Sequence, residues 1–221
     1  MTSDTDTKPN GKAAAREETR RKLLDTGFFL IREKGYEATR VDDICAAAGV
    51  TKGGFFHHFK SKEEWGAAVA AHWGEVTSKL FETAPYHAPA DPLDRVLGYV
   101  DFRRMILSGS TAEFSCVAGT LAQEIHLASP QIRRAAEAAI FGHAETLVAD
   151  IAAAKAEHCP DADWTPESLA QFTQAALQGA FILAKARGGP EIAKDMVDHL
   201  RRHIEMLFGV PHGTGGLSPN A

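Results

Sequence analysis

Ile44-Cys45-Ala46-Ala47-Ala48-Gly49-Val50-Thr51-Lys52-Gly53-Gly54-Phe55-Phe56-His57-His58-Phe59 is the stretch whose reading decides the fold. Val41, Ile44, Cys45 and Ala48 recur at i, i+3, i+4 and i+7, the spacing of one buried helix face, and the helix is entered near Thr39. Gly49 closes it, because glycine takes the left-handed conformation at a helix end without steric cost. Thr51 then caps a new helix, its side-chain oxygen placed to accept from a backbone N–H of the first turn. That helix, Lys52 to Phe59, begins with a lysine, continues with two residues that lack bulk and ends in aromatic and imidazole rings. Phe55 and Phe59, at i and i+4, are core residues that pin it. Two short helices joined through Ala48-Gly49-Val50-Thr51, with another in front, have the geometry of a helix-turn-helix. Small residues at the start of the second helix would let its backbone approach base edges in a major groove.

Working outward, Leu23, Leu24, Gly27, Phe28 and Ile31 make the apolar face of the preceding helix, which Gly35 ends. Downstream, Ser61 and Glu64 form an S-x-x-E capping box for a fourth helix. Its face carries Trp65, Val69, Trp73, Val76 and Leu80, and Pro85 and Pro89 break it. Asp91-Pro92, Ser129-Pro130 and Thr165-Pro166 each pair a capping side chain with proline at the first helical position, where its missing N–H costs nothing. The spacing predicts helices over 92–108, 112–127, 130–157, 166–187 and 190–208, the last two separated by Gly188-Gly189-Pro190. No strand-like alternation competes, so the expected class is all-α with about nine helices. The expected domains are a disordered tail at 1–14, a helix-turn-helix domain at 15–62, a helical body at 63–208 and a second disordered tail at 209–221.

Composition sets the outer limits. The chain of 221 residues is 44% hydrophobic and 24% charged, in the range of a folded globular protein large enough to bury a core. Cys45, Cys116 and Cys159 are far apart and show no C-x-x-C spacing, so neither a disulfide framework nor a zinc site is expected. The polar start has no apolar run of signal-peptide length, and no run approaches the roughly 20 residues that span a bilayer. The expected compartment is the cytoplasm, with no membrane partner. The net charge of −5 is unevenly placed: residues 1–60 hold 11 Lys/Arg against 9 Asp/Glu, and the rest 13 against 20. A weakly basic head on an acidic body fits a nucleic-acid partner at the N-terminal end.

The run Gly35-Tyr36-Glu37-Ala38-Thr39, then Ile44, then Ala47-Ala48-Gly49-Val50-Thr51-Lys52-Gly53, then His57-His58-Phe59-Lys60-Ser61-Lys62-Glu63 resembles the DNA-binding domain of the tetracycline-repressor (TetR) family, over roughly residues 16–65. The resemblance implies an omega-shaped homodimer in which helices one to three read double-stranded operator DNA and the remainder binds a small-molecule effector and the second subunit. It also implies that Thr39, Lys52, Gly53, Gly54, Phe56, His57 and Lys62 approach DNA, with Thr39 and Lys62 against phosphate. Arg40, Thr51 and His58 complete the candidate set. The family usually has Tyr where this chain has Phe56, so a hydroxyl that commonly reaches phosphate is missing here. His57, Arg40 or Lys60 are the residues placed to compensate.

In the body, Trp73, Phe102, Met105, Phe114, Cys116, Phe141, His143 and Phe172 are candidates to line an effector pocket, with Gln123 and Glu124 to orient a polar ligand. Each is also an ordinary core residue by base rate. Of the last two helices, the first is apolar around most of its circumference, and the second carries Met196, Val197, Leu200, Ile204 and Leu207 on one side. Leu177, Phe181, Met196, Leu200, Ile204 and Leu207 are therefore the candidate dimer surface. His199 and His203, at i and i+4, fit a helix face better than a metal site, and no cofactor, metal or catalytic residue is expected. Two other readings stay open: an all-helical enzyme, which lacks any visible nucleophile–base pair or phosphate loop, and a DNA-binding head on a scaffold without an effector.

Overall fold

The computed structural model describes residues 11–210, and the first ten residues and 211–221, where most of the two expected tails fall, lie outside it. Ten α-helices and one 3-10 turn account for the regular structure of the described residues. They are α1 (Gly11–Lys34), α2 (Val41–Ala48), α3 (Lys52–His58), α4 (Lys62–Glu82), the turn Pro85–His87, α5 (Pro92–Met105), α6 (Thr111–Phe114), α7 (Val117–Ile125), α8 (Pro130–His158), α9 (Pro166–Arg187) and α10 (Glu191–Leu207). Gly11 to Ala14, expected in a disordered tail, are the first turn of α1. Gly209 and Val210, expected at the start of the other tail, follow α10 in order, with the Val210 N–H donating to the Glu205 carbonyl at 2.9 Å.

The capping signals act where the sequence puts them. Asp91 accepts from the Leu93 N–H at 2.7 Å, and Thr165 from the Ser168 N–H at 3.1 Å. Gly49 closes α2 with φ +65°, a conformation that other residues reach only with strain. One expected helix, 112–127, is two. The backbone of Ser115 is extended, so α6 stops at Phe114 and α7 starts at Val117. Phe114 and Val117 belong to different cores, and a single straight helix could not serve both.

The described chain forms two units, which also differ from the expected domain boundaries. The first comprises residues up to Glu75 together with Val117–Ala139, and the second Val76–Cys116 with the chain from Ile140 onward. In the first unit Leu23, Leu24 and Ile31 of α1, Ile44 of α2, Phe55 and Phe59, Trp65 and Val69 of α4, Val117, Leu121 and Ile125 of α7 and Ile132 of α8 share one core. The Trp65 indole N–H donates to the Leu23 carbonyl at 3.0 Å. In the second unit α5, α9 and α10 with the later turns of α4 and α8 enclose Phe81, Tyr99, Leu147, Ile151, Leu177, Leu200 and Ile204. Arg95 pairs with Asp150 at 2.8 Å, Arg104 with Asp198 at 2.6 Å and Arg201 with Asp101 at 2.9 Å, which fix α5 against α8 and α10. No helix among the described residues is long and apolar enough to cross a membrane.

Gly27 is required by the close approach of α1 and α4: a Cβ there would lie 2.7 Å from Val69 and 2.8 Å from Trp65. Gly27→Ala should cost about 1–3 kcal/mol of stability as an overpacked core. Gly142→Ala, on α8 where a Cβ meets nothing within 4 Å, should be neutral or stabilising by up to ~1 kcal/mol. Urea unfolding of the two variants beside the parent checks both signs.

Candidate nucleic-acid interface and effector cavity

The helix-turn-helix is assembled around buried aromatics. Phe55 and Phe59 are buried on one side of α3, their rings 5.6 Å apart, and this turns Lys52, Gly53, Phe56 and His57 outward. Thr51 caps α3 by accepting from the Gly54 N–H at 3.1 Å. The two glycines differ in role. A Cβ on Gly54 would lie 2.7 Å from Val50, so Gly54 is needed for the turn to close, whereas Gly53 faces open space. Lys52 is exposed and forms an ion pair with Asp42 at 2.9 Å, which solvent leaves weak and easily exchanged for another anion. His57 is exposed, and His58 is half-buried with its pKa lowered by burial and by the neighbouring His57.

Three expected contact residues also do structural work. Thr39 is fully buried and donates its hydroxyl to the Gly35 carbonyl at 2.6 Å, so its side chain is not on the surface where a phosphate would lie. That expectation is corrected: Thr39 shapes the α1–α2 turn. The Arg40 side chain is exposed, while its N–H donates to Asp43, which also accepts from Lys34 at 2.7 Å. Lys62 donates to the Glu37 carbonyl at 3.2 Å and lies over the Tyr36 ring at 4.3 Å. Partial burial lowers its pKa despite the nearby Glu37 and Glu124 carboxylates.

Sequence reasoning missed the member that holds this surface in register. Glu124 of α7, expected to orient a ligand, accepts from the Glu37 N–H at 3.1 Å, and its carboxylate sits beside Gly35. It therefore braces the turn between α1 and α2. Gln123 is exposed and donates to its own helix at the Gly119 carbonyl, and Trp73 packs with Phe28 and Arg32. All three belong to the first unit and do not share a cavity in the second. The only sequence signal for Glu124 was a carboxylate at the end of a short amphipathic helix, and its partner lies 87 residues earlier.

The second unit contains a cavity of about 60 Å³ lined by Ser78, Phe81, Glu82, Tyr86, His87, His143 and Thr146. Of the expected effector residues only His143 lines it. Phe102 adjoins through the Phe81 ring at 5.3 Å, Phe114 packs on Phe181, and Cys116 is half-buried against the same core. Met105, Phe141 and Phe172 are exposed and are not among the residues that line this cavity. His143 Nε2 is 3.0 Å from the Tyr99 hydroxyl, which also receives Arg103 Nε at 2.8 Å and Gln174 Nε2 at 3.1 Å. Burial, then the Arg103 charge, pulls the His143 pKa down to about 3, and burial pushes Tyr86 up to about 12.

A shallow groove of about 370 Å³ runs between α9 and α10, lined by Phe172, Ala176, Gly179, Leu183, Met196, His199 and His203 among others. Of the six expected dimer residues Met196 and Leu200 line it, whereas Leu177, Phe181 and Ile204 are buried within the chain itself. Met196 and Leu207 are half-buried. The face left open is the opposite one, with Phe172 46% and Leu183 45% exposed and His203 stacked on Phe172 at 4.8 Å. Among the described residues one group has metal-ligand spacing, the mostly exposed Asp91, Glu157 and His158, and there His158 is already paired with Asp91 at 2.9 Å.

Residues 23–68 match the family described as bacterial regulatory proteins, tetR family, and residues 92–199 the C-terminal domain of LmrA/YxaF-like transcriptional regulators. The transcriptional regulator AcuR of Cereibacter sphaeroides is 27% identical over 186 residues, 82% of this chain and 83% of its own length. The transcriptional repressor DhaR of a Mycobacterium species is 28% identical over 171 residues, 77% of this chain and 84% of its own. The reduced form of Escherichia coli NemR superposes with a TM-score of 0.71 at 25% identity, over 88% of this chain and all of that one.

A neutral buried histidine carries a pH signature. An unfolded histidine takes up a proton near pH 6.5, while the folded chain refuses one until about 3, so this contribution to stability is complete above 6.5 and declines as pH falls between those values. The slope from this group approaches about 1.4 kcal/mol per pH unit within that window. Urea midpoints measured from neutral to acid pH should fall less steeply for His143→Gln than for the parent.

Proposed function

The chain belongs to the tetR family of bacterial regulatory proteins and is a transcriptional regulator; from that premise we propose that it is a repressor, binding a palindromic operator as a homodimer and released by a small-molecule effector. The observation that carries the reading is the outward face of α3, where Lys52, Gly53, Phe56 and His57 are held clear of the core by the buried Phe55 and Phe59. Lys52 and Arg40 meet phosphates, which set affinity, and the ring-bearing positions meet base edges, which set specificity. Phe56 offers an exposed apolar ring in place of a hydroxyl, and such a ring suits the methyl group of thymine. Thr51 and Gly54 set the backbone that presents them, and His58 and Lys62 flank it.

The second subunit covers the open face of α9 and α10. Phe172, Ile182 and Leu183 there are large apolar side chains in solvent, all on α9. A two-fold contact of four helices buries them by pairing each face with its own copy. Each subunit then presents one reading head to its half-site, and the half-sites lie one helical turn or a multiple apart. The names of DhaR and NemR, both called repressors, favour repression here. The effector acts in the second unit, and a coupling of about 1–3 kcal/mol, roughly 5- to 150-fold in operator affinity, is enough to switch the system.

Binding to the DNA upstream of its own gene, followed across a salt series, tests the first half. A discrete palindrome should be protected, and Lys52→Ala should weaken binding while reducing the salt slope by about one ion. His57→Ala should relax sequence preference with little change in that slope. No site-specific binding at physiological salt would sink the reading. For the second half, Leu183→Arg should shift the sedimentation of the protein from dimer to folded monomer; an unchanged dimer would place the subunit contact elsewhere.

A further inference from the structure

The Tyr99 hydroxyl fixes the tautomer of His143. Its oxygen receives one hydrogen bond from Arg103 Nε and another from Gln174 Nε2, which occupy both lone pairs. The hydroxyl proton therefore points to the remaining neighbour, His143 Nε2 at 3.0 Å, and that nitrogen is the acceptor. A neutral imidazole has one donor nitrogen and one acceptor nitrogen, so the ring proton is on Nδ1. Nδ1 has no hydrogen-bond partner, in a side chain more than nine-tenths buried. Buried donors are almost always matched, and an unmatched one calls for an explanation. The ring that carries it forms part of the wall of the 60 Å³ cavity.

The walls restrict what can meet that donor. Phe81 and Tyr86 supply aromatic surface, and Phe81 lies edge-on to His143 at 4.6 Å. An anion would face the Glu82 carboxylate on the same lining, and a neutral His143 offers no countercharge. A cation would face the positive end of the Nδ1–H dipole, a group that can only donate. A space of this size limits a ligand to a handful of heavy atoms.

We propose that this cavity is the effector site and that the effector is a small uncharged carbonyl compound, a ketone, aldehyde, amide or ester, whose oxygen accepts from His143 Nδ1–H. The proposal rests on the reading of the second unit as the effector-binding part. Tyr99, Arg103 and Gln174 are positioning residues: they hold the imidazole in the tautomer that leaves a donor facing the ligand.

The test uses the full chain labelled with ¹⁵N-histidine and 2-butanone as probe, with propionate as the charged comparator. The ring signals of His143 should report the Nδ1–H tautomer, and 2-butanone should shift them saturably while propionate does not. In His143→Phe, which keeps an aromatic ring and removes the N–H, butanone affinity measured by calorimetry should fall about 10-fold. An Nε2–H tautomer, no saturable shift, preference for propionate or unchanged affinity in His143→Phe would each overturn the proposal. The tautomer is read on the parent protein, so the question is answered even if the variant does not fold. Operator binding is followed separately on the same preparation. Operator binding without ketone binding removes this ligand class and leaves the repressor reading intact; ketone binding without operator binding does the reverse.

Discussion

The seat of α1 on α4 is the contact on which the reading head depends. Gly27 lets the two helices approach until Trp65 and Val69 fill the space a side chain would take, and the Trp65 indole closes a hydrogen bond to the Leu23 carbonyl. The cost of burying a polar ring nitrogen is thereby met inside the core. Everything exposed on α3 follows from that arrangement, because Phe55 and Phe59 pack into the same cluster and set the rotation of a helix only seven residues long. So short a helix has little intrinsic stability and takes its shape from tertiary contacts.

In the second unit the corresponding centre is polar. Tyr99 receives hydrogen bonds from Arg103 of α5 and Gln174 of α9 and donates to His143 of α8, within a shell of Phe81, Tyr86 and Phe102. Arg103 also lies over the Phe81 ring at 4.3 Å. A network of this kind specifies one arrangement of its helices, since a rotation of any member strands another's donor or acceptor. Its single open valence is at His143, which separates it from a purely structural cluster.

Much of this was legible in the chain. Helix ends were, because Asp91, Thr165, Gly49 and Gly188 act through their immediate neighbours, and local chemistry is what sequence encodes most directly. The head was legible for the same reason, with Thr39 the exception: a threonine beside a helix-turn-helix looks equally suited to a phosphate or to the Gly35 carbonyl, and only burial decides. The break at Ser115 was not, since helical periodicity runs on across it and only the separation of the two cores reveals it. The face of α9 was not either. With apolar residues on both sides, periodicity shows that the helix is covered twice but not which side the rest of the chain covers, and Leu177 and Phe181 proved to be the inner one. Glu124 was hidden by distance along the chain.

The first unit is discontinuous: Val117, Leu121, Ile125 and Ile132 complete a core begun almost a hundred residues earlier. During synthesis, then, the reading head cannot close when its own three helices have emerged from the ribosome. It must wait, with Trp65 and Tyr36 incompletely covered, until the chain to about residue 139 is outside the exit tunnel. By that point α4, α5 and α6 are available while α9 and α10 are not, so a nascent chain gains a finished DNA-binding surface before the larger part of its second unit has been made. A head grafted onto another protein as an N-terminal cassette would lack the pieces that close it.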